Sequence, residues 1–157
     1  MIIRVFLFLA LSFSYFVSAE QISIMSYNLD NLFDTKDDAG KDDKAYLPIE
    51  LKNNDDHIMG CLQVKNPKWK NECLFLDWDE EAVQKKISNI SDLLISMGES
   101  QPDIIAIQEI ENLNVLGMLF SKIEALGYKD FALIEGEDYR GIDNAVISKY
   151  PIYGCLL

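Results

Sequence analysis

Apolar positions recur along this chain in two rhythms, and each predicts a different element. Val83, Ile87, Ile90, Leu94 and Met97 recur at helical spacing and form one apolar helical face. Asp79 can cap that helix, Glu80 and Glu81 suit its first turn, and Gly98 stops it. Leu113, Leu116, Phe120 and Ile123 mark a second helix, closed by Gly127. The strand rhythm is shorter. Residues 22–27 alternate in part, and residues 104–108 form a nearly all-apolar run after a Pro102-Asp103 turn. The latter is the pattern of a strand in a sheet covered on both faces. Residues 131–134 and 142–148 are further strands, joined by a polar turn at 136–141 and ended by Tyr150-Pro151. The resulting order, one strand, then alternating helices and strands, predicts an α/β layered fold. Residues 34–78 show no clear periodicity and are read as an insertion between the first strand and the first helix.

The amino-terminal segment has a separate explanation. Arg4 precedes an apolar run, and Val17-Ser18-Ala19 is a small-x-small cleavage pattern. The run is shorter than the ~20 residues of a bilayer span, and Glu20 stands where a lipoprotein would have Cys. Residues 1–19 are therefore expected to be a signal peptide, with a single secreted or periplasmic domain over residues 20–157 and no membrane association after cleavage. Export permits disulfides. Cys61 and Cys73 bracket a short polar loop and are the natural pair, while Cys155 has no obvious partner.

Composition narrows the function. The chain has 157 residues, 49% hydrophobic and 25% charged, which is a globular balance. With 14 Lys+Arg against 26 Asp+Glu, its formal net charge is −12, which excludes binding nucleic acid through a whole-protein positive field. Five Asp fall between residues 34 and 43. They offer oxygen ligands to extracellular Ca²⁺, but their spacing does not fit an EF-hand, and the loop is expected to be solvated. His57, the one His of the chain, is expected on the surface of the insertion.

Two polar groups stand where apolar strands end, Asn28 and Glu109. Ligands of open α/β sheets collect beyond the carboxyl ends of strands. A carboxylate and an amide oxygen are hard ligands, suited to Mg²⁺ or Mn²⁺, and Mg²⁺ is commonly held by one or two carboxylates plus water and phosphate.

Three segments carry a resemblance to a known family. They are Ser26-Tyr27-Asn28-Leu29-Asp30-Asn31-Leu32-Phe33, Pro102-Asp103-Ile104-Ile105-Ala106-Ile107-Gln108-Glu109, and Asp143-Asn144-Ala145-Val146-Ile147-Ser148-Lys149-Tyr150-Pro151-Ile152. In this order the chain resembles the endonuclease/exonuclease/phosphatase superfamily, which includes exonuclease III and DNase I-like enzymes, and among them its exported bacterial nuclease-like members. The resemblance implies a four-layer α/β sandwich. It also implies metal-dependent phosphodiester hydrolysis, with DNA as the expected substrate and Mg²⁺ or Mn²⁺ as cofactor. By position, Glu109 matches the family's metal-binding Glu, Asn28 the Asn near metal and phosphate, and Asp30 an Asn-x-Asp variant at the metal. Tyr139 and Arg140 match a turn that approaches substrate. Asp143 replaces the family's usual Gly.

The family's later Gly-Asp-x-Asn and Ser-Asp-His segments do not occur, so the sequence is expected to be the front part of the domain, inactive unless a complementing carboxyl-terminal half supplies them. The alternatives are a non-catalytic exported binding module or remnant, and a phosphatase- or phospholipase-type member.

Overall fold

A computed structural model describes residues 21–154. The signal-peptide expectation and Cys155 lie outside the described residues. The elements in chain order are β1 (Ile24–Leu32), α1 (Asp55–Leu62), α2 (Pro67–Phe75), α3 (Glu80–Ser96), β2 (Ile104–Ile110), α4 (Leu113–Ile123), β3 (Asp130–Ile134) and β4 (Asp143–Ser148). The fold is mixed α/β. Its four strands run in the order β1-β2-β4-β3, with β1 and β2 parallel and the other two pairings antiparallel. Among the described residues no helix is long and apolar enough to cross a membrane.

The expected helices form for the expected reasons. Asp79 accepts a hydrogen bond from the Ala82 amide at 2.8 Å and caps α3, whose Val83, Ile87, Ile90 and Leu94 are buried. Asn112 caps α4 by accepting from the Asn114 and Val115 amides. Residue pairing then sorts the sheet's side chains by face. Met25, Tyr27, Ile105, Ile107, Ala145, Ile147, Phe131 and Leu133 share the side that packs against α3 and α4 in one core. Ile24, Ser26, Ile104, Ala106, Val146 and Ile134 share the other side, and none belongs to that core. Among the described residues only one of the sheet's two faces is covered. Helices cover one face, and Ile24 and Ile134 on the other are 68% and 53% exposed. Isoleucines suit either face of a strand, so the run 104–108 did not distinguish them.

Residues 34–78 also depart from expectation, since they carry α1 and α2. Asn54 and Asn66 cap these helices, and Pro67 opens α2. The segment between the cysteines is thus largely helical rather than a polar loop, and a Cys61–Cys73 disulfide joins the two helices. The buried Lys52 ammonium ties the segment together, donating to the carbonyls of Ala45 at 2.7 Å and Leu76 at 2.6 Å. Burial lowers its pKa to about 8. Replacing Lys52 with Met leaves those carbonyls without their donor. Urea unfolding is expected to show a loss of about 1–3 kcal/mol, and an unchanged midpoint would count against this role.

Candidate functional site at the ends of β1 and β2

The parallel strands β1 and β2 finish side by side, and both are irregular there. The β1–β2 register shifts between Asn28 and Leu32, and the β2–β4 register shifts between Gln108 and Ile110. Asp30, Asn31 and Glu109 have φ of 53°, 65° and 61°, and they are the only described residues other than glycine in the left-handed region. Each such residue costs roughly 1–2 kcal/mol, and strain of this kind collects at functional sites.

Local contacts hold the strained residues. The Asn28 side-chain carbonyl accepts from the Asp30 amide at 2.7 Å, an Asx-type turn. Leu29 and Leu32 on either side of the kink are buried, as is Ile110 after Glu109. Lys86 of α3 donates to the Asp30 carbonyl and, at 3.2 Å, to the Asn31 carbonyl. Its ammonium lies 5.5 Å from the centre of the Trp78 ring. Burial lowers the Lys86 pKa, while the Asp30 and Glu109 carboxylates oppose that shift. Trp78 donates to the Phe33 carbonyl at 3.2 Å, and Tyr46 stacks on Phe33 with ring centres 4.2 Å apart. The segment 34–78 thus supplies an aromatic floor next to the strand ends. Burial pushes the Tyr46 hydroxyl up to about 12, Glu72, Asp30 and Glu109 push the same way, and Arg140 opposes them.

The structure places Asn28 in the middle of β1 rather than beyond its end, at the last regular pair before the kink, with Asp30 in the kink itself and Glu109 one residue before the end of β2. A row of amides adjoins them on the uncovered face, because Asn28 pairs in register with Gln108, and Gln108 with Asn144. Tyr139 and Arg140 lie on the turn between β3 and β4. Tyr139 is 68% exposed, and its carbonyl accepts from the Asp42 amide at 2.9 Å. The Arg140 guanidinium is engaged by Asp138, with Nε 3.3 Å from Oδ1. Asp143 acts within the same hairpin, where its buried carboxylate accepts from the Gly136 amide at 2.7 Å.

Sequence reasoning missed Lys86, and it quoted Gln108 and Asn144 within the motif segments without giving them a role. The available signal for Lys86 was its position three residues after Val83 and four before Ile90, on the edge of the apolar stripe.

The Asp-rich loop is solvated only in part, with Asp37 and Asp42 exposed. Asp34 and Asp43 are buried, as is Glu111 just beyond β2. Glu111 accepts from the Asp34 amide at 2.7 Å, and Asn112 and Asn114 donate to Asp34. These bonds anchor the loop to the start of α4. Burial pushes Glu111 up to about 8, with Asp34, Asp38 and Asp43 adding to the effect. Three carboxylate oxygens, from Asp34, Asp38 and Glu111, gather within 3.5 Å of the Asn112 side-chain nitrogen, which donates to them. The one described trio of His, Cys or carboxylate ligand atoms within 4.8 Å of one another is His57, Cys61 and Cys73.

Asp43 gives the loop a pH dependence. Burial, reinforced by Asp37 and Asp38, raises it from 3.8 to about 6. The folded chain therefore holds this proton more tightly than the unfolded chain, and ionisation destabilises the fold. The penalty is absent below the unfolded value, grows as pH rises toward 6, and is complete above it. Asp43→Asn is expected to raise the melting temperature near neutral pH by on the order of 5 °C and to leave it unchanged at the acid end. Equal gains at both ends would contradict the assignment.

No protein-family model, curated protein or solved structure matches the chain.

Proposed function

We propose that this chain forms the metal-holding part of a phosphodiester hydrolase, with a layered architecture of the DNase I-like kind and DNA as its substrate. The observation that carries this reading is the gathering of all three described left-handed non-glycine residues at the adjoining ends of two parallel strands, where Asn28, Asp30 and Glu109 stand. The sheet face without helices, apolar at Ile24, Ile104, Ala106, Val146 and Ile134 and polar along the amide row, supports a second sheet packed against it, contributed by a complementing segment that also brings the remaining catalytic groups. The Cys61–Cys73 disulfide is compatible with an exported protein.

The donor set fits a hard divalent ion. Glu109 makes no ion pair among the described residues. It would hold Mg²⁺ or Mn²⁺, with Asp30 and Asn28 as neighbouring oxygen donors. Bound there, the ion would polarise a phosphoryl oxygen. The chain's own residues do the positioning. Lys86 pins the kinked backbone of β1 through two carbonyls, and Asn28 sets the Asp30 turn. In the row of Asn28, Gln108 and Asn144, the exposed Asn144 offers amide donors to phosphate or sugar oxygens, while Gln108 already donates to the Ala106 carbonyl at 2.9 Å and keeps one N–H for such a contact. Arg140 is the nearby guanidinium that can fork onto phosphate once Asp138 releases it.

Mn²⁺ titration followed by electron paramagnetic resonance tests the reading. Glu109→Gln is expected to weaken binding at least tenfold. Glu109→Gly is expected to abolish binding while raising stability by about 1 kcal/mol, because glycine relieves the left-handed backbone. Unchanged Mn²⁺ affinity in Glu109→Gln would remove Glu109 from the site and the reading with it.

A further inference from the structure

His57 is neither an exposed bystander nor part of the site on β1 and β2. It is half-buried on α1, and its Nε2 lies 3.2 Å from the Cys61 sulfur and 2.9 Å from the Cys73 carbonyl oxygen. The spacing explains the first contact, since residues four apart share a helix face. The disulfide explains the second, because it draws the last turn of α2 against that face.

We propose that reduction of the Cys61–Cys73 disulfide converts this place into a three-ligand zinc site, made of His57 and the two cysteines, that keeps α1 bridged to α2. Imidazole and thiolate are the ligands zinc prefers. A tetrahedral zinc with ordinary bond lengths sets its ligand atoms roughly 3.5–3.8 Å apart. The His57–Cys61 separation of 3.2 Å is already close to that. The two sulfurs have to part and Nε2 has to turn from the Cys73 carbonyl, all within a trio whose ligand atoms already lie within 4.8 Å of one another, and the Cα–Cα distance of 5.6 Å leaves room for side-chain rotation to do it. Cys61 and Cys73 are 0% and 2% exposed, so the sulfurs are screened from bulk solvent, while the half-buried His57 leaves access for a single water. Two thiolates neutralise Zn²⁺, so the assembled unit carries no net charge into a buried place.

The chemistry balances. A thiol or phosphine reductant supplies two electrons to the S–S bond, and each sulfur takes up one proton. Zinc then displaces both thiol protons and takes the neutral imidazole through Nε2, which gives up its contact with the Cys73 carbonyl. Water fills the fourth position. The inference stands apart from the hydrolase reading, because none of these residues belongs to the site at Glu109.

Co²⁺ as a spectroscopic substitute for zinc tests it, in a Cys155→Ser background so that the thiols counted are these two. The reduced protein is expected to bind one Co²⁺ with a thiolate charge-transfer band, which Zn²⁺ displaces and the oxidised protein lacks. A cation at Glu109 would give no such band. His57→Asn is expected to weaken binding at least tenfold while keeping the band, and Cys73→Ser to remove most of its intensity. Near-ultraviolet circular dichroism runs alongside. A reduced chain that loses its signal is expected to recover it when zinc is added. A reduced protein without the band, a His57→Asn variant that binds as tightly as its parent, or a reduced chain that stays unfolded with zinc would each overturn the proposal.

Discussion

Ile110→Ala is expected to cost about 2–5 kcal/mol of stability and to weaken Mn²⁺ binding at Glu109 in the same protein. Ile110 is fully buried and belongs to the core shared with α3 and α4. It is also the first regularly paired residue after the Glu109 kink, aligned with Leu32 on β1 and Asp143 on β4. Its side chain is thus the clamp that returns both irregular strand ends to register. Truncation leaves a cavity beside a strained peptide, and the strain has a route to relax. Ile123→Ala is the control, since Ile123 is equally buried but lies at the far end of α4. Urea unfolding should show comparable losses for the two variants. Mn²⁺ affinity, measured where both remain folded, should fall only for Ile110→Ala. Equal affinities in the two variants would separate the core from the site and weaken the case that packing sets the Glu109 geometry.

Removal of the disulfide by Cys61→Ser with Cys73→Ser is expected to cost about 3 kcal/mol by the loop-closure relation, for a sequence separation of 12. The loss should be local. Helices α1 and α2 have 8 and 9 residues, too short to persist alone in water. The bridge joins them directly, while the sheet and α3 and α4 share a separate apolar core. Hydrogen exchange is therefore expected to rise first across residues 55–75, with β2 and β4 still protected. A double variant that melts at the parent temperature with unchanged exchange in α1 and α2 would show that Lys52 and the aromatic floor suffice without the disulfide.

These two outcomes bear on different parts of the molecule, and the parts differ in how far the sequence reveals them. The stripe of Val83, Ile87, Ile90 and Leu94, with Asp79 before it, specifies α3 from local rules alone. The Pro102-Asp103 turn and the apolar run after it likewise locate β2. Short helices are harder to see. In α1 and α2 exposed Ile58, Met59, Leu62, Trp69 and Phe75 break any single apolar stripe, so periodicity is silent there. The Asn caps and Pro67 were the remaining signs.

The candidate site divides in the same way. Asn28 and Glu109 were visible because each stands at the end of an apolar run. Lys86 was hidden because a lysine beside an apolar stripe reads as solvent-facing until a partner carbonyl is placed above it. The fate of the Asp-rich loop was hidden too, since burial of Asp34 depends on contact with Glu111, Asn112 and Asn114, about 77–80 positions away along the chain.

By itself the sequence determined the strands, the two long helices and the order in which they alternate, since those follow from spacing and capping within a few residues. Tertiary structure alone decided which face of the sheet the helices cover, how β1 and β2 kink where they meet, and that His57 lies against a disulfide. The first two depend on pairing between residues distant in the chain and the third on how two short helices pack, and neither leaves a local period to read.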